Sequence, residues 1–199
     1  MGIKPKKINQ SAKNKADPYN HIINTALNLA VENGWQGLLL TEIAKEADLS
    51  LADLYIHFPN KMAILNGFQK RTNDSILRAG VEIGSSHRDQ LFGVLMRRFD
   101  ILNPYKDSIR SILRDIAFDP VTSMMQAPQL YISMSSMLEA AGISSSGIVG
   151  ILRVKGLILI YMRSLKVWLN DDSQDLSETM ATLDRDLARA DRLLGMLNH

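Results

Sequence analysis

The side chains able to do chemistry in this sequence are few and scattered. His21, His57, His87 and His199 stand singly and there is no cysteine. Disulfides, thiolate metal sites and cysteine nucleophiles are thereby excluded, and no H-E-x-x-H, Walker A or G-x-G-x-x-G motif occurs. Asp171, Ser173 and Asp175 begin like a calcium loop, yet Leu176 stands where such a loop needs glycine and Thr182 where it needs glutamate. Those acids suit the start of a following helix, whose dipole favours negative charge. Gly142 to Gly147 is only loosely like a nucleophile elbow and has no strand before it, so it reads more simply as a helix-starting turn. The expectation is a protein with no catalytic residue, metal or cofactor, and not an enzyme.

One stretch does carry a recognisable chemistry, that of reading a nucleic acid. Thr41 to Lys61, TEIAKEADLSLADLYIHFPNK, places two short helices around a tight turn. Asp48 tolerates turn geometry and Ser50 caps the helix that follows, while Pro59-Asn60 ends it. Such a helix-turn-helix sets its second helix in a DNA groove. With Ala47, Leu49-Ser50, Leu54-Tyr55, His57-Phe58 and Lys61 in these positions, residues 17 to 66 resemble the TetR family of bacterial transcriptional regulators.

The resemblance implies that Leu51 to His57 is the recognition helix, that Tyr55 touches one phosphate and that Lys61 touches another. The expected DNA-contacting set is Lys13, Lys15, Thr41, Ser50, Leu51, Ala52, Tyr55, Ile56 and Lys61. Leu51 and Ile56 can meet thymine methyls but cannot read a base by hydrogen bonding. Several positions depart from the family pattern. Asp48 stands where glycine is usual, Ala52 where glycine or proline is usual, and Asp53 where threonine or serine is usual. Leu38 and Leu39 replace hydroxyl residues. Asp53 faces a polyanion unfavourably unless it accepts from a cytosine amino group or caps its own helix behind Ser50. Tyr55 and Phe58 lie at helical spacing and equally suit packing of the small domain; Phe58 is assigned to the core.

The elements that must position this motif are all helical. Asp17-Pro18 opens a first helix, with Ile22, Ile23, Ala26, Leu27, Ala30 and Val31 at helical spacing and Gly34 at its end. Asn60 caps a long fourth helix to about residue 83. Further helices are expected near 87–102 and from Asn103-Pro104 to about 118, then from Asp119-Pro120, where Pro128 should kink or split the helix. An eighth runs from the Ser144–Ser146 turn to about 170. In the last, Leu176, Met180, Leu183, Leu187, Ala190, Leu194 and Leu197 form an a/d seam. The expected fold is all-α, with about nine helices. A basic arm (1–16) and an N-terminal three-helix helix-turn-helix domain (17–60) precede a larger helical bundle (61–199) for ligand binding and dimerisation.

Charge distribution separates an arm from a body. The first fifteen residues hold five lysines and no acid, whereas the rest carries 18 bases against 21 acids. Such an arm follows phosphates or merely solubilises the chain. Apolar residues at 46% and charged residues at 22% are average for a globular protein, which excludes a disordered or fibrous chain. No apolar segment follows the basic N-terminus as in a secretory signal, and the longest uncharged run, Pro120 to Leu138, is too polar to span a membrane. A cytoplasmic protein is expected.

The larger domain suggests two further sites. Phe92, Met96, Phe99, Met124, Met125, Tyr131, Met134 and Tyr161 are candidates to line a pocket for an apolar small molecule or lipid, methionine being adaptable; each serves equally as core filling. Leu157, Tyr161, Leu165 and Trp168 with Met180, Leu183, Leu187 and Leu194 are the expected homodimer interface, a four-helix arrangement placing two recognition helices about one DNA turn apart. The seam packing inside its own chain is the alternative. A second, looser resemblance is carried by Gly34-Trp35, Leu39-Leu40, Arg153, Tyr161, Trp168, Asp171-Asp172, Ser173, Asp175, Thr179 and Leu183. It is similar to the TetR-like lipid-binding accessory proteins of coenzyme Q biosynthesis, and implies lipid binding with little or no DNA binding.

Overall fold

The computed structural model describes residues 17–80 and 86–194, with side chains through Arg192. The arm lysines Lys13 and Lys15, and the side chains of Leu194 and Leu197, lie outside the described residues. Among these residues there are nine α-helices and no strand: α1 (Pro18–Asn33), α2 (Leu40–Glu46), α3 (Leu51–His57), α4 (Lys61–Arg78), α5 (His87–Leu102), α6 (Lys106–Ala117), α7 (Pro120–Ala140), α8 (Gly147–Trp168) and α9 (Ser177–Leu194). A single 3-10 turn, Asn103–Tyr105, replaces the direct helix start expected at Asn103-Pro104.

The chain divides into two compact units, one of residues up to Phe68 together with Asp107–Phe118, the other of Gln69–Lys106 and Asp119 onward. The expected domains, 17–60 and 61–199, assigned all of α4 and α6 to the larger one. The start of α4 packs with the first unit because Ile64, Leu65 and Phe68 are buried and Gly67 lies against Tyr19, Phe58 and Ile23. A Cβ on Gly67 would stand 2.7 Å from the Tyr19 hydroxyl and 2.9 Å from the Phe58 ring, so only glycine permits this approach.

Local signals set the helix ends in the first unit. The Asp17 carboxylate accepts from the Asn20 amide at 3.0 Å and Pro18 begins α1. Gly34 ends it with φ 74° and ψ 157°, a positive-φ conformation open to glycine. Leu39 precedes α2 without a side-chain cap, and Glu42 instead accepts from the Leu39 amide at 2.8 Å.

In the second unit α8 is buried along Val154, Leu157, Tyr161, Leu165 and Trp168 and packs on α9, whose Leu183 and Leu187 are buried against it. α4 ends at Arg78, before Gly80 at φ 69°, and the expected extension to residue 83 falls partly outside the described residues. Pro128 sits within α7 without splitting it. Pro128 and Ser123–Met125 are exposed, so the carbonyl it leaves without a helical donor is on a turn open to water.

Asp171 closes the connection from α8 to α9. Its buried carboxylate accepts from the Thr179 amide at 2.8 Å, the Thr179 hydroxyl at 2.7 Å, the Ser173 amide at 3.1 Å and the Ser173 hydroxyl. The calcium-like run is thus a helix-starting clasp, and among the described residues no group of three acids or histidines could hold a metal. Burial alone would push the Asp171 carboxyl up, but the donors of Ser173 and Thr179 outweigh it and hold it at about 2. A folded-state value depressed below the ordinary 3.8 gives stability that is present above pH 4 and lost as pH falls through 2. Asp171→Ala should destabilise the protein by roughly 2–4 kcal/mol at pH 7 in urea denaturation. The difference from wild type should shrink as pH falls from 5 to 2; a pH-independent difference would show that the ionised carboxylate is not what holds this turn.

Candidate functional site

The helix-turn-helix is built by two caps and a turn. Ala47 ends α2, and Asp48, with φ 56°, takes the left-handed position. The Leu49 amide then donates to Ala44 O at 2.9 Å and the Asp48 amide to Lys45 O at 3.2 Å, a Schellman ending. Asp is strained there where glycine would not be. His21 on α1 bonds the Ala47 carbonyl at 3.1 Å, tying this turn to the first helix. Ser50 caps α3 by accepting from the Asp53 amide at 3.1 Å, and its hydroxyl donates to the Asp53 carboxylate at 2.6 Å. Asp53 is therefore engaged with its own helix cap.

α3 has one buried face and one open face. Leu54 and Phe58 are buried, whereas Tyr55 is 50% and Ile56 77% exposed, and Ala52, Asp53, Ser50 and Thr41 are also exposed; Leu51 is half-buried. The Phe58 ring lies tilted against that of Tyr19, centroids 4.6 Å apart, in keeping with its assignment to the core. Thr41, Ser50, Leu51, Ala52, Tyr55 and Ile56 thus belong to a short continuous segment whose open side carries two large side chains.

Lys61 is placed differently from expectation. Its ammonium donates to Trp35 O and Gln36 O, both at 2.9 Å, and lies 5.6 Å from the centroid of the Trp35 ring. On the other side of the same two residues, Asp115 accepts from the Trp35 amide at 2.6 Å and the Gln36 amide at 2.9 Å. Burial lowers the Lys61 pKa against the opposing pull of Asp115 and Glu42. Two of its three donors are committed to the chain's own backbone, so Lys61 fastens the α1–α2 connection. Sequence gave no sign of Asp115, which is eighty residues from its partner.

Residues 22–67 match the sequence model of the family described as bacterial regulatory proteins, tetR family. This segment carries the sequence pattern of that family's domain. A TetR transcriptional regulator from Nitrosomonas europaea ATCC 19718 is 20% identical with a TM-score of 0.72, over 88% of this chain and 98% of that one. One from Rhodococcus sp. RHA1 is 23% identical with a TM-score of 0.63, over 91% and 99%. The fold of the chain is that of TetR-family transcriptional regulators. No curated protein matches the chain.

In the larger unit of this TetR fold, the expected pocket residues divide. Phe99, Met134 and Tyr161 are buried together with the Phe99 and Tyr161 rings stacked at 5.7 Å, and Phe92, Met96 and Tyr131 are half-buried. Met124 and Met125 are exposed and line no interior, because they sit on the open side of the first turns of α7. The expected dimer seam is likewise corrected. Leu157, Tyr161, Leu165, Trp168, Leu183 and Leu187 are already buried within one chain, and of the described members only Met180 is exposed. The heptad pattern records the packing of α9 on α8.

The fastening of Trp35 and Gln36 yields a test. Lys61→Met should destabilise the protein by roughly 1–3 kcal/mol in urea denaturation. Combined with Asp115→Asn it should cost less than the sum of the two single changes, since both act on one turn. A Lys61→Met protein of unchanged stability whose DNA binding shows a shallower salt slope would instead place this ammonium on a phosphate.

Proposed function

We propose that this protein is a one-component transcriptional regulator that binds a two-fold symmetric DNA site as a homodimer and releases or strengthens that grip when an apolar effector occupies its larger unit. The observation that carries the reading is the open face of α3. Tyr55 and Ile56 stand exposed on a helix whose opposite side is buried, on a tetR-type domain. A large exposed aromatic and aliphatic pair on so short a helix is what a groove-facing surface needs. Tyr55 supplies a phosphate contact, Ile56 and Leu51 meet thymine methyls, and Thr41, Ser50 and Ala52 flank them; the arm, with Lys13 and Lys15, adds charge along the backbone. Asp53, bonded to Ser50, puts a carboxylate near the groove and weakens the grip. A cytoplasmic location goes with this role, and no helix of the described residues is long and apolar enough to cross a membrane.

A different face of α8 supports the dimer. Ile148, Leu152, Leu159 and Met162 recur on the side opposite Leu157 and Tyr161, and all four are exposed, Leu159 at 72%. They form an apolar face that a second copy would cover symmetrically, setting the recognition helices about 34 Å apart.

Selection of binding sites from random duplex DNA should return an inverted repeat, and Tyr55→Ala should weaken binding at least about tenfold while changing stability by less than about 0.5 kcal/mol. Loss of neither sequence selection nor affinity in Tyr55→Ala would remove α3 from the interface. For the dimer, Leu159→Glu should give a folded monomer by sedimentation, with binding to the repeat lost. Leu187→Asp, buried inside the chain, should unfold the protein instead. A dimer that survives Leu159→Glu would place its interface elsewhere.

A further inference from the structure

Arg98 is a buried charge without a counter-charge. It lies on α5, is 4% exposed, and no carboxylate of the described residues stands within salt-bridge distance. Its Nε donates to the Tyr161 hydroxyl at 3.1 Å and its Nη1 to Asn73 Oδ1 at 2.6 Å, and its Cζ is 5.2 Å from the Tyr161 ring centroid. The Ser133 hydroxyl donates to the same Asn73 oxygen at 2.8 Å. Side chains from α4 and α8 thus meet the guanidinium of α5, with α7 joined through Asn73, and both acceptors offered to it are neutral. A guanidinium has five N–H donors in a fixed fork; here Nε and Nη1 are bonded, each to a neutral group.

Two buried donors on the Tyr161 side of α8 lack acceptors. Ser164 Oγ, one turn beyond Tyr161 on α8, and the Nε1 of Trp168, one turn further, are sealed from water with no hydrogen-bond partner. Phe99 joins the two ends of this row, its ring 5.7 Å from that of Tyr161 and 5.8 Å from that of Trp168. Burying donors without acceptors, and a cation without an anion, is unfavourable for the chain alone. The acids elsewhere in this unit show the contrast. Asp186 has Arg163 and Arg189 as counter-charges, although its Oδ2 accepts no hydrogen bond, and Asp171 accepts from four donors.

We infer that the helical core around Arg98, Asn73 and Tyr161 is the polar end of a ligand site, and that it takes the carboxylate of an otherwise apolar acid. A carboxylate accepts only, matches the guanidinium fork, and brings the single negative charge that one buried arginine neutralises. A phosphate monoester, carrying about −1.5 to −2, would leave excess charge buried. Phe99, stacked on Tyr161, supplies an apolar wall, and Met134, buried on α7 next to Ser133, is a methionine that can change rotamer to admit a hydrocarbon. The inference deepens the effector reading but its binding step stands without it.

The test uses the full chain and pairs of probes that differ only in charge: octanoate with octanol, dodecanoate with dodecanol, and phenylacetate with phenylethanol. Calorimetry and thermal melting should show at least one acid binding about tenfold or more tighter than its alcohol. Arg98→Gln, confirmed as folded by circular dichroism, should bind acid and alcohol alike; if that variant does not fold, Tyr161→Phe and Asn73→Ala should each reduce the preference several-fold. Wild-type protein that prefers no acid to its alcohol overturns the inference and makes Arg98 a stitch between helices. An unchanged preference in the folded Arg98→Gln protein overturns it as well. An acid that binds through Arg98 without altering DNA affinity upholds the site, and what fails then is the regulatory reading.

Discussion

The first unit depends on one pair of peptide groups. Trp35 and Gln36 present their amides to the Asp115 carboxylate and their carbonyls to the Lys61 ammonium. Opposite charges thereby grip opposite edges of a single turn, and the attraction between α4 and α6 is relayed through backbone dipoles. Charge-assisted bonds of this kind are about twice as strong as neutral ones. The turn cannot drift without stranding two charges, so the spacing of α1, α2, α4 and α6 follows from it. Ser111 adds a second tie between α6 and α1 by donating to Ala30 O at 2.6 Å. α3 then has little freedom, because Phe58 at its end is locked against Tyr19 and the bare backbone of Gly67.

Short-range chemistry was legible in the sequence and long-range commitments were not. Asp17-Pro18, Ser50 and Asp119-Pro120 announce helix starts because a cap and its amide are at most three residues apart. Asp48 in the helix-turn-helix could be read as a turn for the same reason. The direction of Lys61 could not, since its carbonyl partners lie 25 and 26 residues upstream and a lysine at a helix start looks the same whether it points outward or in. The α9 heptads state that an apolar stripe exists and are silent about which helix covers it; here it is α8 of the same chain. Met124 and Met134 look alike in sequence, yet ten residues along one helix the first is open to solvent and the second buried.

The second unit treats its two kinds of buried charge differently. Asp171 is enclosed by donors from its own loop and helix, all within eight residues, and is therefore a local device that forms as α9 starts. Arg98 draws on residues 25 and 63 positions away and finds only an amide and a phenol. One charge completes a turn, and the other leaves the middle of a bundle electrostatically open. Such an imbalance is tolerable because the Tyr161 ring and the Asn73 dipole spread the cost over several helices.

The distribution of tryptophan gives each unit its own optical label. The sequence holds two tryptophans. Trp35 is buried in the first unit under the Lys61 ammonium, and Trp168 is buried in the second between Phe99 and Lys106, whose ammonium is 5.1 Å from its ring. Each indole sits beside a cation, a neighbour that shifts indole emission, and each would report its release as that unit opens. The native chain is thus a two-channel fluorescence reporter in which replacing either indole by phenylalanine isolates the other half. Whether the halves melt together or in sequence becomes a matter of comparing two emission curves.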